Sequence, residues 1–191
     1  MEMWPLALGL SLVFLAATPA AADDALWALL KGGGQVVLMR HATAPGTFDP
    51  PGARFDDCAT QRNLDEQGRD EARRIAAAFR TRAIPVGDVR SSGWCRCLET
   101  ARLAFGRVEH WVPLDGFLPS SPLEAPRTAA VRELAIKPFT GANVILVTHN
   151  FNNRALTGHS SISGEMVVLT PKGNDFAIAG RIAPSALDAT P

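Results

Sequence analysis

The sequence predicts an α/β protein, a three-layer α/β/α sandwich around a mostly parallel central sheet. Three observations carry that expectation. Residues 36–39 and 144–147 are short, unbroken apolar runs rich in Val, Ile and Leu, the pattern of strands buried on both faces. Segments of helical periodicity separate the strand candidates, and strands alternating with helices pair in parallel through right-handed crossovers. At 191 residues the chain is long enough to enclose one sizeable core.

The first residues stand outside that fold. Residues 4–17 are apolar and lead into Thr18, Pro19 and three alanines, which predicts a secretory segment 1–22 cleaved after Ala22, with a single domain over 23–191. The run is shorter than the roughly 20 residues that span a bilayer, so no stable membrane anchor is expected. Glu2, with no Lys or Arg beside it, departs from the usual leader. An exported protein, periplasmic or secreted, is the expectation.

Residues 23–31 form a short helix that starts at Asp23 or Asp24 and turns Leu26, Trp27, Leu29 and Leu30 inward. Gly32, Gly33 and Gly34 end it. They precede a strand, whereas a phosphate-cradling loop follows one, so they are read as a turn. The first strand then stops at Arg40 and His41, at the carboxyl end where open α/β sheets gather ligands. Residues 42–61, rich in Pro, Gly and Asp, read as a long ordered loop of the kind that builds a pocket over a rigid sheet.

Asp65 caps the next helix, on which Gly68, Ala72, Ile75, Ala76 and Phe79 share one face. Residues 84–91 supply a strand, 94–105 a helix, 108–114 a third strand, 123–136 a helix, 144–148 a fourth strand and 151–156 a helix. Residues 166–170 and 176–182 alternate as an edge hairpin across a turn at 171–175.

Three strand ends carry the chemistry. After Arg40-His41 come Ser92, Arg96, Thr100 and Ala101 in the spacing Ser-x-x-x-Arg-x-x-x-Thr-Ala, and the 144–148 strand ends at His149. In that order the three resemble the histidine phosphatase superfamily, the phosphoglycerate mutase-like proteins, over about residues 36–168. Leu64, Asp65 and Gly68 are similar to the Leu-Thr-x-x-Gly helix start of many members. The compact form is also similar to exported heptose phosphatases of the lipopolysaccharide core. Ala42 departs from the family's Gly, and Ala44 stands where many members have Ser or Thr.

The resemblance implies a phosphoglycerate mutase-like fold, His41 as nucleophile, and Arg40, Arg96 and His149 as the phosphate pocket; Arg62, just before the helix, is a further candidate phosphate contact, with a plain surface position as the alternative. No metal or other cofactor is implied. The residue types suit the chemistry. Imidazole, with an unperturbed pKa of about 6.5, is a nucleophile at neutral pH. Arg forks two hydrogen bonds to phosphate oxygens, as Lys cannot. A transferring phosphoryl group needs fixed positive charge more than covalent help. A general acid is also expected, but the family's acid pattern is missing: Asn150 follows His149, and Asp115 or Glu165 are the candidates, with Glu124 another.

Cysteines number three, and export permits a disulfide of Cys58 with Cys95 or Cys97. With 19 basic and 19 acidic residues there is no basic excess for nucleic acid. The expected activity is phosphomonoester hydrolysis through a phosphohistidine, on a phosphorylated small molecule or glycan. The alternatives are a phosphomutase and a non-catalytic phosphoglycan-binding protein.

Overall fold

The computed structural model describes residues 19–187. Six strands, β1 (Val36–Arg40), β2 (Val86–Ser91), β3 (Glu109–His110), β4 (Asn143–Thr148), β5 (Met166–Lys172) and β6 (Asp175–Ile182), form one sheet in the order β3-β2-β4-β1-β5-β6. The first four are parallel to one another, β5 pairs antiparallel with β1, and β5 and β6 form the predicted antiparallel edge hairpin. Helices α1 (Pro19–Lys31), α2 (Glu66–Thr81) and α3 (Cys95–Phe105) cover one face, and α4 (Glu124–Ala135) and α5 (Asn150–Thr157) the other. The predicted three-layer sandwich is the observed architecture.

Side-chain alternation along the strands builds both layers at once. Val37 and Met39 of β1, Ile145 and Val147 of β4, and Met166 and Val168 of β5 pack toward α1, α2 and α3. Val36, Leu38, Val144, Leu146, Val167 and Leu169 pack toward α4 and α5. Both faces are buried, which is why β1 and β4 read as continuous apolar runs.

Asp65 caps α2 as expected, its Oδ1 accepting the Gly68 N–H at 2.8 Å. Gly68 is needed for packing: a Cβ there would overlap the Thr43 carbonyl oxygen, so the start of α2 lies directly on the chain leaving β1. Gly68→Ala is therefore expected to destabilise by about 1–3 kcal/mol, the range for overpacking a filled contact. Thermal denaturation beside an exposed control, Gln67→Ala, measures it.

Two expectations are corrected. The strand predicted over 108–114 is only Glu109–His110, followed by a turn of 3-10 helix at Val112–Leu114. Pro113 has no N–H to donate to a ladder, so the strand cannot run through it. The turn is pinned to the sheet where Thr148 Oγ1 donates to the Leu114 carbonyl at 2.6 Å, and it sends residues 115–118 back across the end of β4. Second, α1 begins at Pro19 rather than at 23. Residues 1–18 of the predicted secretory segment lie outside the described residues.

Candidate active site

β1, β4 and β2 are adjacent at the centre of the sheet and finish together. The His41 N–H donates to the Thr148 carbonyl at 3.0 Å and the Ser92 N–H to the Val147 carbonyl at 2.9 Å, extending the ladders one residue past the strands. This brings His41 and His149 edge to face, ring centroids 5.6 Å apart. Arg40, ending β1, Arg62, ahead of α2, and Arg96, in the first turn of α3, join them around a cavity of about 310 Å³. All five residues that the sequence assigned to phosphate line this one cavity. Thr100 braces the corner: its hydroxyl accepts the Ala42 N–H at 3.1 Å and donates to the Arg96 carbonyl at 2.7 Å.

His41 is 2 % exposed, and its Nδ1 lies 2.7 Å from the Ala42 carbonyl oxygen. A carbonyl only accepts, so Nδ1 carries the proton and the Nε2 lone pair is free. Burial holds its pKa well below the ordinary 6.5, and Arg96, Arg62 and Arg40 push the same way. The ring is a neutral base with one defined basic nitrogen.

The guanidinium groups are held by their rims. Arg40 Nη1 donates to the Ser161 carbonyl at 2.8 Å, Arg62 Nη1 to the Ala44 carbonyl at 2.6 Å, and Arg96 Nη1 to Asp49 Oδ1 at 2.9 Å. The Nε of each is buried without a hydrogen-bond partner among the described residues. Arg40 and Arg62 titrate below the usual Arg value, first through burial and then through repulsion from Arg96. Against these three cations the cavity lining has one carboxylate, Asp49, whose Oδ1 also accepts the Arg62 backbone N–H at 2.9 Å. Positive charge gathered at a cost, with donors left over, is the signature of an anion site.

His149 is oriented from behind. Arg96 Nη2 donates to its Nδ1 at 3.4 Å, which leaves Nε2–H to donate to Ser92 Oγ at 2.9 Å. Ser92 in turn donates to Asp115 Oδ1 at 3.2 Å. Burial first, then His41 and the three arginines, hold the His149 pKa well below 6.5.

Neither predicted acid lines the cavity. Asp115 lies behind Ser92, where it also accepts the Gly93 N–H at 2.7 Å and the His110 Nε2–H at 3.0 Å. Glu165 accepts the Ile162 N–H at 2.9 Å and bonds His159 at 3.0 Å, bracing the turn whose Ser161 carbonyl holds Arg40. Glu124 is bound to the Ser120 N–H outside the cavity. The structure places both candidate acids, Asp115 and Glu165, outside the cavity lining, buried among backbone donors that spacing along the chain does not reveal.

Cys58 and Cys95 form a disulfide, Cα atoms 5.7 Å apart, which ties the loop after His41 to the residue before Arg96. That loop supplies Thr47, Phe48 and Asp49 to the cavity, as its composition suggested. Cys97 is a free thiol that burial pushes up to about 12, with Sγ 3.6 Å from His149 Nε2. Among the described residues no group of three or more His, Cys, Asp and Glu is placed to hold a metal ion.

Sequence reasoning missed Asp49 and the role of Ser92. The signal for Ser92 was its place in the Ser-x-x-x-Arg spacing. Asp49 stood in a Pro-rich loop with no periodicity to mark it.

No family model matches the sequence, and no curated protein does. Solved structures do. The putative phosphohistidine phosphatase SixA from Agrobacterium tumefaciens is 23 % identical over 79 % of this chain and 99 % of its own, with a TM-score of 0.54. Phosphoserine phosphatase from Entamoeba histolytica, in complex with 3-phosphoglyceric acid, is 10 % identical over 80 % of this chain and 98 % of its own, TM-score 0.58. The product of open reading frame Rv3214 from Mycobacterium tuberculosis is 14 % identical over 76 % and 95 %, TM-score 0.57. The chain shares the fold of these solved structures, the phosphoglycerate mutase-like fold.

Proposed function

We propose that the protein is a phosphomonoester hydrolase that works through a phosphohistidine on His41. One observation carries the reading: a neutral imidazole with its Nε2 lone pair unblocked among the described residues, set beside the buried Arg96 and the half-buried Arg40 and Arg62, whose Nε atoms are all buried. The arginines seat the phosphate dianion, and Nε2 attacks phosphorus as the bond to the leaving oxygen breaks. Arg40, Arg62 and Arg96 match the charge spread over the three equatorial oxygens, and His149 lies against the same group. Water then displaces the phosphoryl group from Nε2 and regenerates His41. The solved structures of similar fold named as phosphatases support the class of reaction.

Export to the periplasm or the medium belongs to the same proposal. The apolar leader pattern supports it, as does a disulfide of the kind that persists in oxidising compartments.

The test is hydrolysis of p-nitrophenyl phosphate, a monoester whose leaving group needs no acid, with a chelator present. Turnover is expected. Its pH profile has a definite sign, because the neutral ring reacts and the His41 pKa is depressed. After correction for the substrate's own phosphate ionisation near pH 6, kcat/KM stays level from neutral pH down through 6.5 and falls only further into acid. A folded chain without turnover contradicts the reading.

A further inference from the structure

Given the phosphatase reading, on which this rests, we propose that the cavity selects phosphate monoesters of phenols over those of aliphatic alcohols or sugars. The proposal joins two features of the same cavity, its missing proton donor and its aromatic wall.

The first concerns the leaving oxygen. Asp49 is the one carboxylate among the described residues that line the cavity, and its Oδ1 is held by Arg96 Nη1 and the Arg62 N–H. His149 receives a hydrogen bond on Nδ1 and spends its proton on Ser92. No lining group is arranged to hand a proton to a departing alkoxide. A phenol, at a pKa of about 10, leaves as its anion; an aliphatic hydroxyl, near the 15.7 of water, does not leave readily without that proton.

The second concerns what faces the phosphate floor. Phe48, Trp94, Phe117, Leu118 and Phe151 line the cavity, and apart from the two imidazoles and the Trp94 indole N–H its uncharged polar side chains among the described residues are Thr47 and Asn150. Phe48 is 70 % and Leu118 62 % exposed, large apolar groups held at the mouth rather than packed in the core. Trp94 is fixed from outside by the edge of Phe55, centroids 5.5 Å apart, and carries the Arg96 guanidinium 4.9 Å from its ring. Such a wall accepts a ring by stacking and burial. A sugar would find few partners for its hydroxyls and would lose hydrogen bonds to water. The glycan expected from the sequence fits this wall poorly.

The step balances without further reagents. The His41 Nε2 lone pair forms the bond to phosphorus, the phosphorus–oxygen bond breaks, and its electron pair stays on the phenolate, which solvent protonates. Water then attacks phosphorus, the phosphorus–nitrogen pair returns to Nε2, and hydrogen phosphate leaves, while the second proton of the water passes to solvent and balances the one taken up by the phenolate.

The experiment compares kcat/KM for phenyl phosphate, cyclohexyl phosphate and a hexose 6-phosphate on the intact chain. Phenyl phosphate is expected to lead cyclohexyl phosphate, a ring of similar size, by roughly 10³-fold or more, as Brønsted dependence on an unassisted leaving group requires. Phe48→Ala and Leu118→Ala should each raise KM for phenyl phosphate several-fold, more than they raise the inhibition constant of inorganic phosphate. Cyclohexyl or hexose phosphate turned over within tenfold of phenyl phosphate overturns the proposal and leaves the phosphatase reading standing. No turnover of any of the three overturns both.

Discussion

Replacing His41 with Ala is expected to lower kcat on an aryl phosphate by roughly 10⁴–10⁶-fold, the loss typical of removing a covalent nucleophile. The ring is enclosed, and its Nδ1 proton is committed to the Ala42 carbonyl, so no neighbour can take over at Nε2. His149 is the nearest imidazole, but both its nitrogens are engaged, with Arg96 and Ser92. The arginines are anchored by contacts that do not pass through His41: Ser161, Ala44 and Asp49 hold them. The variant should therefore bind inorganic phosphate within a few-fold of wild type while turnover disappears. Calorimetric phosphate binding beside steady-state kinetics separates the two effects. A variant that keeps even a hundredth of wild-type kcat would mean that His41 is not the nucleophile.

Arg96→Ala is the second large effect, a loss of roughly 10³-fold in kcat/KM, as for a guanidinium that meets charge developing on a transferring phosphoryl group. Arg96 touches more of the cavity than either other arginine: Asp49 through Nη1, His149 through Nη2, and the Arg62 carbonyl through Nη1 at 3.4 Å. Arg96→Lys keeps the charge but not the fork and should recover little of the loss. A signed readout accompanies the rate. Among the charges that depress the His41 pKa, Arg96 is the strongest, though burial matters more. In Arg96→Ala that pressure is lifted, the His41 pKa rises, and the acid limb of the pH–rate profile moves toward neutral. Arg96→Lys should leave the limb near its wild-type position. A limb that stays fixed in Arg96→Ala would show that the titrating group is not His41.

Much of this was legible in the sequence, for identifiable reasons. β1 and β4 are buried on both faces, so their composition alone marks them. Because parallel strands end on one side of a sheet, residues that follow them along the chain, His41, Ser92 and His149, become neighbours in space. Arg62 was readable as a candidate because it stands just before a capped helix. The misses share a different cause. The 108–114 strand failed at Pro113, where local chemistry overrode an apolar pattern. Asp115 and Glu165 looked like acids by position, but their backbone partners, Gly93 and Ile162, depend on how a 3-10 turn and a tight loop fold back on the sheet. Asp49 and the aromatic wall come from loops, where spacing along the chain carries no periodic information. The disulfide partner of Cys58 was open between two residues of one helix, and Cys95 faces the loop while Cys97 faces the core.

The central claim is a covalent bond from His41 Nε2 to phosphorus, and trapping that bond tests it most directly. Wild-type protein mixed with an aryl phosphate labelled with ³²P, then quenched in alkali within milliseconds, should carry label that survives base and is lost in mild acid. Peptide mapping should place the label on His41, and His41→Ala should carry none. Turnover without acid-labile label on His41, or label that maps to another residue, would contradict the account.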